Sequence, residues 1–224
     1  MFDPQILKRF PLFSNLSDED LKPLLSQFKP RHFRKGQILF VEGEIGSHVY
    51  FVLSGQIKMS KTLPDGNEQI LDWCGPYDSF AEILLIEDGP YPATAEAIQE
   101  SQVLVLSNQR IPELLVKHPE LGIALVRTLS KRLRLNQEFI RILTSRSTAG
   151  ILAALLLRLA RPAPNPGEWI YVDGTLTNKD LASMIGTSRE LVNRSINNWK
   201  RQGIVQLHEG RLEILKPQEL ADWP

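Results

Sequence analysis

The sequence is poor in the residues that build redox and metal centres: one cysteine, Cys74, and four histidines in 224 residues. A lone thiol excludes an internal disulfide and any cluster held by several cysteines of one chain. It leaves a single metal ligand or an oxidisable thiol, and an inert buried Cys is the simplest reading. The histidines at 32, 48, 118 and 208 are scattered, with no i, i+4 pair, so we expect no metal and no cofactor. Haem, which needs an axial His, Cys or Met, stays open as an alternative. The sequence also lacks a Gly-rich phosphate loop, a nucleophile elbow and a His-Glu-x-x-His motif, so no enzyme is expected. No run approaches the 18 or so apolar residues that span a bilayer, and no basic start leads into an apolar stretch. The expectation is a cytoplasmic protein with no membrane partner.

The composition, 42% apolar and 23% charged, is that of a globular chain. Its formal charge of zero hides an asymmetry. Residues 1–120 carry 11 basic and 17 acidic side chains, a net of −6, and residues 121–224 carry 15 and 9, a net of +6. The second half is the candidate for a polyanionic partner.

Along the chain, "SDEDLKPLLSQF" has Ser17 as a helix N-cap and acidic residues in the first turn. The segments "GQILFVEGE", "HVYFVLSG", "QIKMSKTLPDGNEQILDWCG" and "ATAEAIQESQVLVLS" then read as strands, with Pro64-Asp65-Gly66 as a hairpin turn. Short strands between Gly-containing turns suggest a small antiparallel barrel or jelly roll. From Ile111 to Thr144 the period becomes helical. There Val126, Leu129, Leu133, Asn136, Ile140 and Leu143 follow the alternating 3, 4 spacing of a heptad seam, and a single polar Asn136 within it would set register in a parallel dimer. The alternative is that the stripe packs on the barrel of its own chain. A further helix, "TAGILAALLLRLAR", is stopped by "PAPNPGE".

Two short helices follow, separated by Gly186. In the first, Thr177 is the N-cap and Asp180 stands three residues later; Ser188 caps the second. Small Ala182, Gly186 at the turn and Val192 in the angle satisfy the packing of a helix-turn-helix, and "GIVQLHEGRLEIL" reads as a hairpin wing behind it. In "TSRELVNRSINNWKRQG" the residues Leu191, Val192, Ile196 and Trp199 share one side of the helical period, leaving Arg189, Glu190, Asn193 and Arg194 on the other. A helix-turn-helix lays this second helix in the major groove. Thr187, Ser188, Arg189, Glu190, Asn193, Arg194 and Lys200 are therefore the expected DNA contacts. The arginines suit guanine edges, Glu190 suits cytosine N4, and Lys200 lies where it could reach phosphate. From Ser188 to Arg201 the charge is +3, whereas a module serving only to associate a regulatory subunit would expose apolar residues there.

At these residues the chain resembles a family, the transcription regulators of the cyclic AMP receptor protein and fumarate-nitrate regulator superfamily. The resemblance runs through "LFSNLSDEDLKPLLSQF", "KGQILFVEGE", "VYFVLSGQIKM" and "TSRELVNR", and is most specific in the Arg-Glu-x-x-x-Arg run of Arg189, Glu190 and Arg194. It implies an α+β fold with an N-terminal double-stranded β-helix (jelly-roll) sensor domain over residues 1–118. A dimerisation helix over 119–145 and a winged helix-turn-helix over 146–224 complete it. The implied partners are a DNA operator with two half-sites, a second copy of the chain and RNA polymerase. The implied effector pocket contains Ala81, Glu82, Pro92, Ala93, Asn136 and Gln137. Here Glu82 is kept, but Ala81 replaces a glycine, Pro92-Ala93 replaces an arginine-serine pair, and Asn136-Gln137 replaces threonine-serine. Proline supplies neither charge nor N–H, and a buried phosphate without a cationic partner costs several kcal/mol, so the pocket sequence argues against cyclic AMP. An iron-sulfur branch would need four cysteines. A thiol-based redox or gas sensor would need Cys74 exposed, with its pKa lowered.

Overall fold

A computed structural model describes residues 3–85, 89–145, 147–162, 170–172 and 175–224. The chain divides into two compact units, with the boundary after Leu133.

The first unit opens with two short 3-10 turns, Pro4–Arg9 and Pro11–Phe13, and helix α1, Asp18–Leu25. Ser17 caps α1 by accepting from the Asp20 N–H, and three acids fill its first turn, where the helix dipole favours them. Eight strands follow: β1 Lys29–Phe33, β2 Ile38–Phe40, β3 His48–Ser54, β4 Ile57–Thr62, β5 Glu68–Cys74, β6 Ser79–Phe80, β7 Thr94–Ala97 and β8 Ser101–Ser107. They form two antiparallel four-stranded sheets, ordered β1-β8-β3-β6 and β2-β7-β4-β5. This is the expected jelly roll.

The central pair β3 and β8 is buried on both faces, which is why "HVYFVLS" and "QVLVLS" are apolar runs and do not alternate. Val49, Phe51, Leu53, Leu104 and Leu106 pack outward against Leu7, Phe10, Phe13, Leu21 and Leu24 of the N-terminal helical segments. Phe10, Phe13, Phe28 and Phe51 meet there largely edge to face, with centroids 5.2–6.5 Å apart. Tyr50, Val52, Val103 and Val105 point the other way, into a core shared with Phe40, Phe80 and Tyr91.

The sequence pattern begins the sheet at "GQILFVEGE" and gives no sign of β1 or β6. β1, "KPRHF", is mostly exposed and carries Pro30, as an edge strand can, so it offers no apolar alternation to detect. The single helical stretch expected from Ile111 to Thr144 is two helices, α2 Ile111–Lys117 and α3 Pro119–Ser145. Pro119 disfavours helical geometry at His118, which has φ −130° and ψ 74°.

In the second unit, Ser147 caps α4, Thr148–Leu159. Next come β9 Arg161–Pro162, β10 Ile170–Val172, α5 Asn178–Ile185, α6 Arg189–Arg201, β11 Val205–His208, β12 Arg211–Ile214 and α7 Pro217–Ala221. The sheet is ordered β11-β12-β10-β9, and the β11–β12 hairpin turns through Glu209 and Gly210, both at positive φ, as a wing. Leu152, Ala153, Leu155 and Leu156 of α4 form the core with Leu181, Val192, Ile196, Trp199 and Ile214. Most of "PAPNPGE", residues 163–168, lies outside the described residues.

Two glycines of the first unit separate strain from crowding. Gly55 has φ +89°, and a Cβ there would stand 2.5 Å from Ser101 Cα and 2.6 Å from the Glu100 carbonyl oxygen. Gly66, at the tip of the hairpin turn, has φ +83° but open space around it. Gly66→Ala should therefore cost only the left-handed backbone penalty of about 1 to 2 kcal/mol. Gly55→Ala should add overpacking of rigid backbone, for a total of about 2 to 6 kcal/mol. Urea midpoints of the two variants should differ accordingly; equal midpoints would show that the β4 corner yields.

Candidate nucleic-acid interface and barrel pocket

The turn between α5 and α6 is fixed by local chemistry. The Thr177 hydroxyl accepts from the Asp180 N–H at 3.2 Å while the Thr177 N–H donates to Asp180 Oδ2 at 2.8 Å, a complete capping box. Gly186 ends α5 in the left-handed conformation, φ 66° and ψ 42°, and the Thr187 N–H returns to the Ala182 carbonyl at 3.0 Å. Ser188 then caps α6, accepting from the Leu191 N–H at 3.3 Å. Leu181, Ala182, Val192, Ile196 and Trp199 are all buried. The packed side of α6 is therefore Val192-Ile196-Trp199. Leu191, expected from the helical period on that side, is 39% exposed, because it lies at the edge of the stripe, beyond the covering core.

On the opposite side, Ser188, Arg189, Glu190, Arg194 and Lys200 are exposed, and Thr187 is half-buried at the turn. Glu190 accepts from its own backbone N–H and from the Ser188 hydroxyl, which hold its carboxyl below the ordinary value. It is thus an anion, able to accept from an amine. Asn193 is half-buried, and its Oδ1 accepts from Asn178 Nδ2 across the two helices. The α6 face presents two guanidinium forks and one carboxylate near the helix N-terminus, with Lys200 one to two turns on. Base edges and phosphates each accept this chemistry.

In the barrel, Ala81 is buried and keeps φ +63°, the geometry a glycine would adopt freely, at a cost of about 1 to 3 kcal/mol. Glu82 is 7% exposed and both its oxygens are engaged: the Ser79 hydroxyl donates to Oε1 at 2.6 Å and Arg132 Nη1 donates to Oε2 at 2.9 Å. Arg132 Nη2 also donates to the Ser79 carbonyl at 2.7 Å. Pro92 is exposed, and Ala93 is buried in the aromatic-rich core. Asn136 and Gln137 are exposed residues of the second unit, and Arg158 Nη2 donates to Asn136 Oδ1 at 3.4 Å. Of the expected pocket residues, Glu82 is the one with a built polar environment, made by Ser79 and Arg132. Neither partner is visible from sequence, since a serine three residues before Glu82 and an arginine fifty after it carry no spacing signal. Cys74 is 2% exposed, and burial pushes its thiol well above the ordinary value, reinforced by Asp72, Asp78 and Glu82. It has neither property that a reactive thiol needs.

On α3, Leu121, Ala124 and Leu125 are buried, with Leu121 and Leu125 in the barrel's outer core. Val126, Leu129, Leu133 and Ile140 remain 63%, 41%, 59% and 60% exposed. The side chain of Leu143 lies outside the described residues. Among the described residues, no helix is long and apolar enough to cross a membrane.

Residues 30–118 match the cyclic nucleotide-binding domain, and residues 152–223 match the Crp-like helix-turn-helix domain. A CRP-like cAMP-activated global transcriptional regulator of Mycobacterium tuberculosis is 30% identical over 216 residues, 96% of each chain. The cyclic AMP receptor protein of Thermus thermophilus is 30% identical over 208 residues, covering 93% of this chain and 94% of that protein. The structure of FixK2 from Bradyrhizobium japonicum superposes with a TM-score of 0.74 over 86% of this chain and 95% of its own, at 24% identity, and shares the fold. Barrel, helix-turn-helix and full-length similarity agree: the chain belongs to the CRP/FNR family of helix-turn-helix transcription regulators.

Proposed function

We propose that the protein is a homodimeric, sequence-specific DNA-binding regulator that reads an operator of two half-sites with α6, acts in the cytoplasm and contacts RNA polymerase. In this reading, residues 1–118 are the sensor, 119–145 the dimer helix and 146–224 the DNA-binding module. The observation that carries it is the division of α6: a buried Val192-Ile196-Trp199 stripe opposite an exposed face with Arg189, Glu190 and Arg194 in its first two turns. A two-fold dimer presents two such helices to successive major grooves. The exposed Val126-Leu129-Leu133-Ile140 stripe supplies an apolar seam, and Asn136 within it supplies register.

Cyclic AMP is not the effector in this reading, although two of the similar regulators carry its name. A cyclic phosphate would meet Pro92 and Ala93, which offer no cation, while Arg132 is already committed to Glu82. A ligand at a hundred times its dissociation constant stabilises by about 2.7 kcal/mol. Millimolar cyclic AMP should leave the melting temperature unchanged, and a rise of several degrees would refute this part of the reading.

Replacing Leu133 with Asp sets a charge into the seam and should yield monomers with far weaker operator binding. Analytical ultracentrifugation decides this, and a persistent dimer would place the interface elsewhere.

The two chemistries of α6 separate in DNA titrations. Arg194→Ala should lose about 1 to 3 kcal/mol on the cognate operator and relax preference at one base pair of each half-site. Lys200→Ala should weaken cognate and scrambled DNA alike and lower the slope of log K against log salt by about one for each phosphate that Lys200 neutralises. If Arg194→Ala instead weakens both DNAs equally, that arginine touches only backbone, and base readout by this face is wrong.

A further inference from the structure

A cluster on the outside of the first unit has no part in DNA binding. Asp20 of α1, His118 at the break between α2 and α3, and Glu120 in the first turn of α3 bring one imidazole nitrogen and two carboxylate oxygens within 4.8 Å of one another. His118 Nδ1 stands 3.6 Å from Asp20 Oδ1 and 3.4 Å from Glu120 Oε1. Ligands of a four-coordinate ion bound at about 2.1 Å lie about 3.4 Å apart, so both separations match the edges of such a shell.

Asp20 and His118 are held in place by their surroundings. The Ser17 hydroxyl donates to Asp20 Oδ2, leaving Oδ1 turned toward the imidazole. His118 is constrained by the residue after it, because Pro119 disfavours helical geometry there, and the His118 backbone N–H donates to the Leu114 carbonyl at 2.8 Å. The imidazole is 15% exposed, and His118 forms part of the wall of a cleft of about 230 Å³ lined also by Gln27, Arg110, Glu113 and Lys117. Asp20 thus has an outer partner that fixes which oxygen meets the imidazole, as metal-binding carboxylates commonly have.

We propose that Asp20, His118 and Glu120 form a binding site for a divalent first-row transition ion. One neutral imidazole and two carboxylates give a net charge of −2, which a divalent cation neutralises. Three protein ligands leave the remaining positions for water. The mixed donor set suits zinc, cobalt and manganese, with affinity rising toward zinc. Bound there, the ion ties α1 to the first turn of α3. The site is independent of the DNA-binding reading, and its test measures metal and not operator affinity.

Full-length protein stripped with a chelator should bind one zinc per chain in a calorimetric titration, and its melting temperature should rise with millimolar zinc. Cobalt should give a visible ligand-field spectrum. His118→Ala and Asp20→Asn should each weaken zinc binding at least tenfold and abolish the cobalt spectrum, while circular dichroism of the metal-free variants matches wild type. His208→Ala, which alters the His208–Glu213 pair of the wing, should bind zinc as wild type does. Absence of saturable binding by wild type up to millimolar metal would overturn the site, as would binding unchanged in both His118→Ala and Asp20→Asn. Stabilisation by acid alone, without metal uptake, would show the cluster to be a proton-linked ion pair and would equally refute it.

Discussion

Everything in the first unit depends on β3 and β8 being buried from both sides. Their adjacent residues pair Val49 with Leu106, Tyr50 with Val105, Phe51 with Leu104 and Val52 with Val103, so each step along the pair alternates between the barrel interior and the helical cover. Burying one large apolar side chain contributes about 1.5 to 3 kcal/mol, and the pair does so on two faces at once. One face closes the barrel on its aromatic core. The other face holds the N-terminal segments and the start of α3 through Leu121 and Leu125. Leu121 and Leu125 face the barrel, and Leu129 and Leu133, which continue their i, i+4 row, are 41% and 59% exposed.

The second unit rests on a conformational choice at one residue. A left-handed Gly186 costs little, and with Thr187 returning to Ala182 it sets where α6 begins. Once Val192, Ile196 and Trp199 are committed to the core with α4, Arg189, Glu190 and Arg194 have only the outer side available. Residues 134–224 carry 12 basic and 9 acidic side chains, a net of +3, and that sign favours approach to a polyanion before any specific contact forms.

Much of this was legible in the sequence because its signals are local. The Thr177-Asp180 capping box, Gly186 and Ser188 lie close together in the chain, and each stands as the pattern implied. The heptad stripe is equally local, and Val126, Leu129, Leu133 and Ile140 are exposed. What escaped was non-local or patternless. β1 is an exposed edge strand without alternation. Arg132 reaches Glu82 across fifty residues of sequence, and Asp20 meets His118 from the far end of the same unit; no spacing rule links such positions. The histidines form no i, i+4 pair along the chain, yet folding completes a donor set from one histidine and two carboxylates. Leu191 fell on the right arc of the helical wheel, but period alone does not say how far the covering core extends.

Charge differs between the barrel and the helical surface of the first unit. Beside the expected pocket, Arg132 is already paired with Glu82; Lys58, which alternates with the core residues Ile57 and Met59, pairs with Glu68 at 2.7 Å and Glu96 at 3.0 Å on the other face of its sheet. An anion entering beside Arg132 must compete with a carboxylate in place, and the energy of the existing pair is subtracted from whatever the new contact supplies. Around Asp20, His118 and Glu120 the balance is reversed, because two carboxylates converge on an imidazole nitrogen that can offer a lone pair to a metal. Residues 1–120 carry the −6 excess, and at this corner two of the surplus charges stand close enough to share one counter-ion. Arg127, Lys131 and Arg132 of the same unit stand on α3, so the acidic corner and the basic stretch of that helix differ in the sign of ligand each attracts.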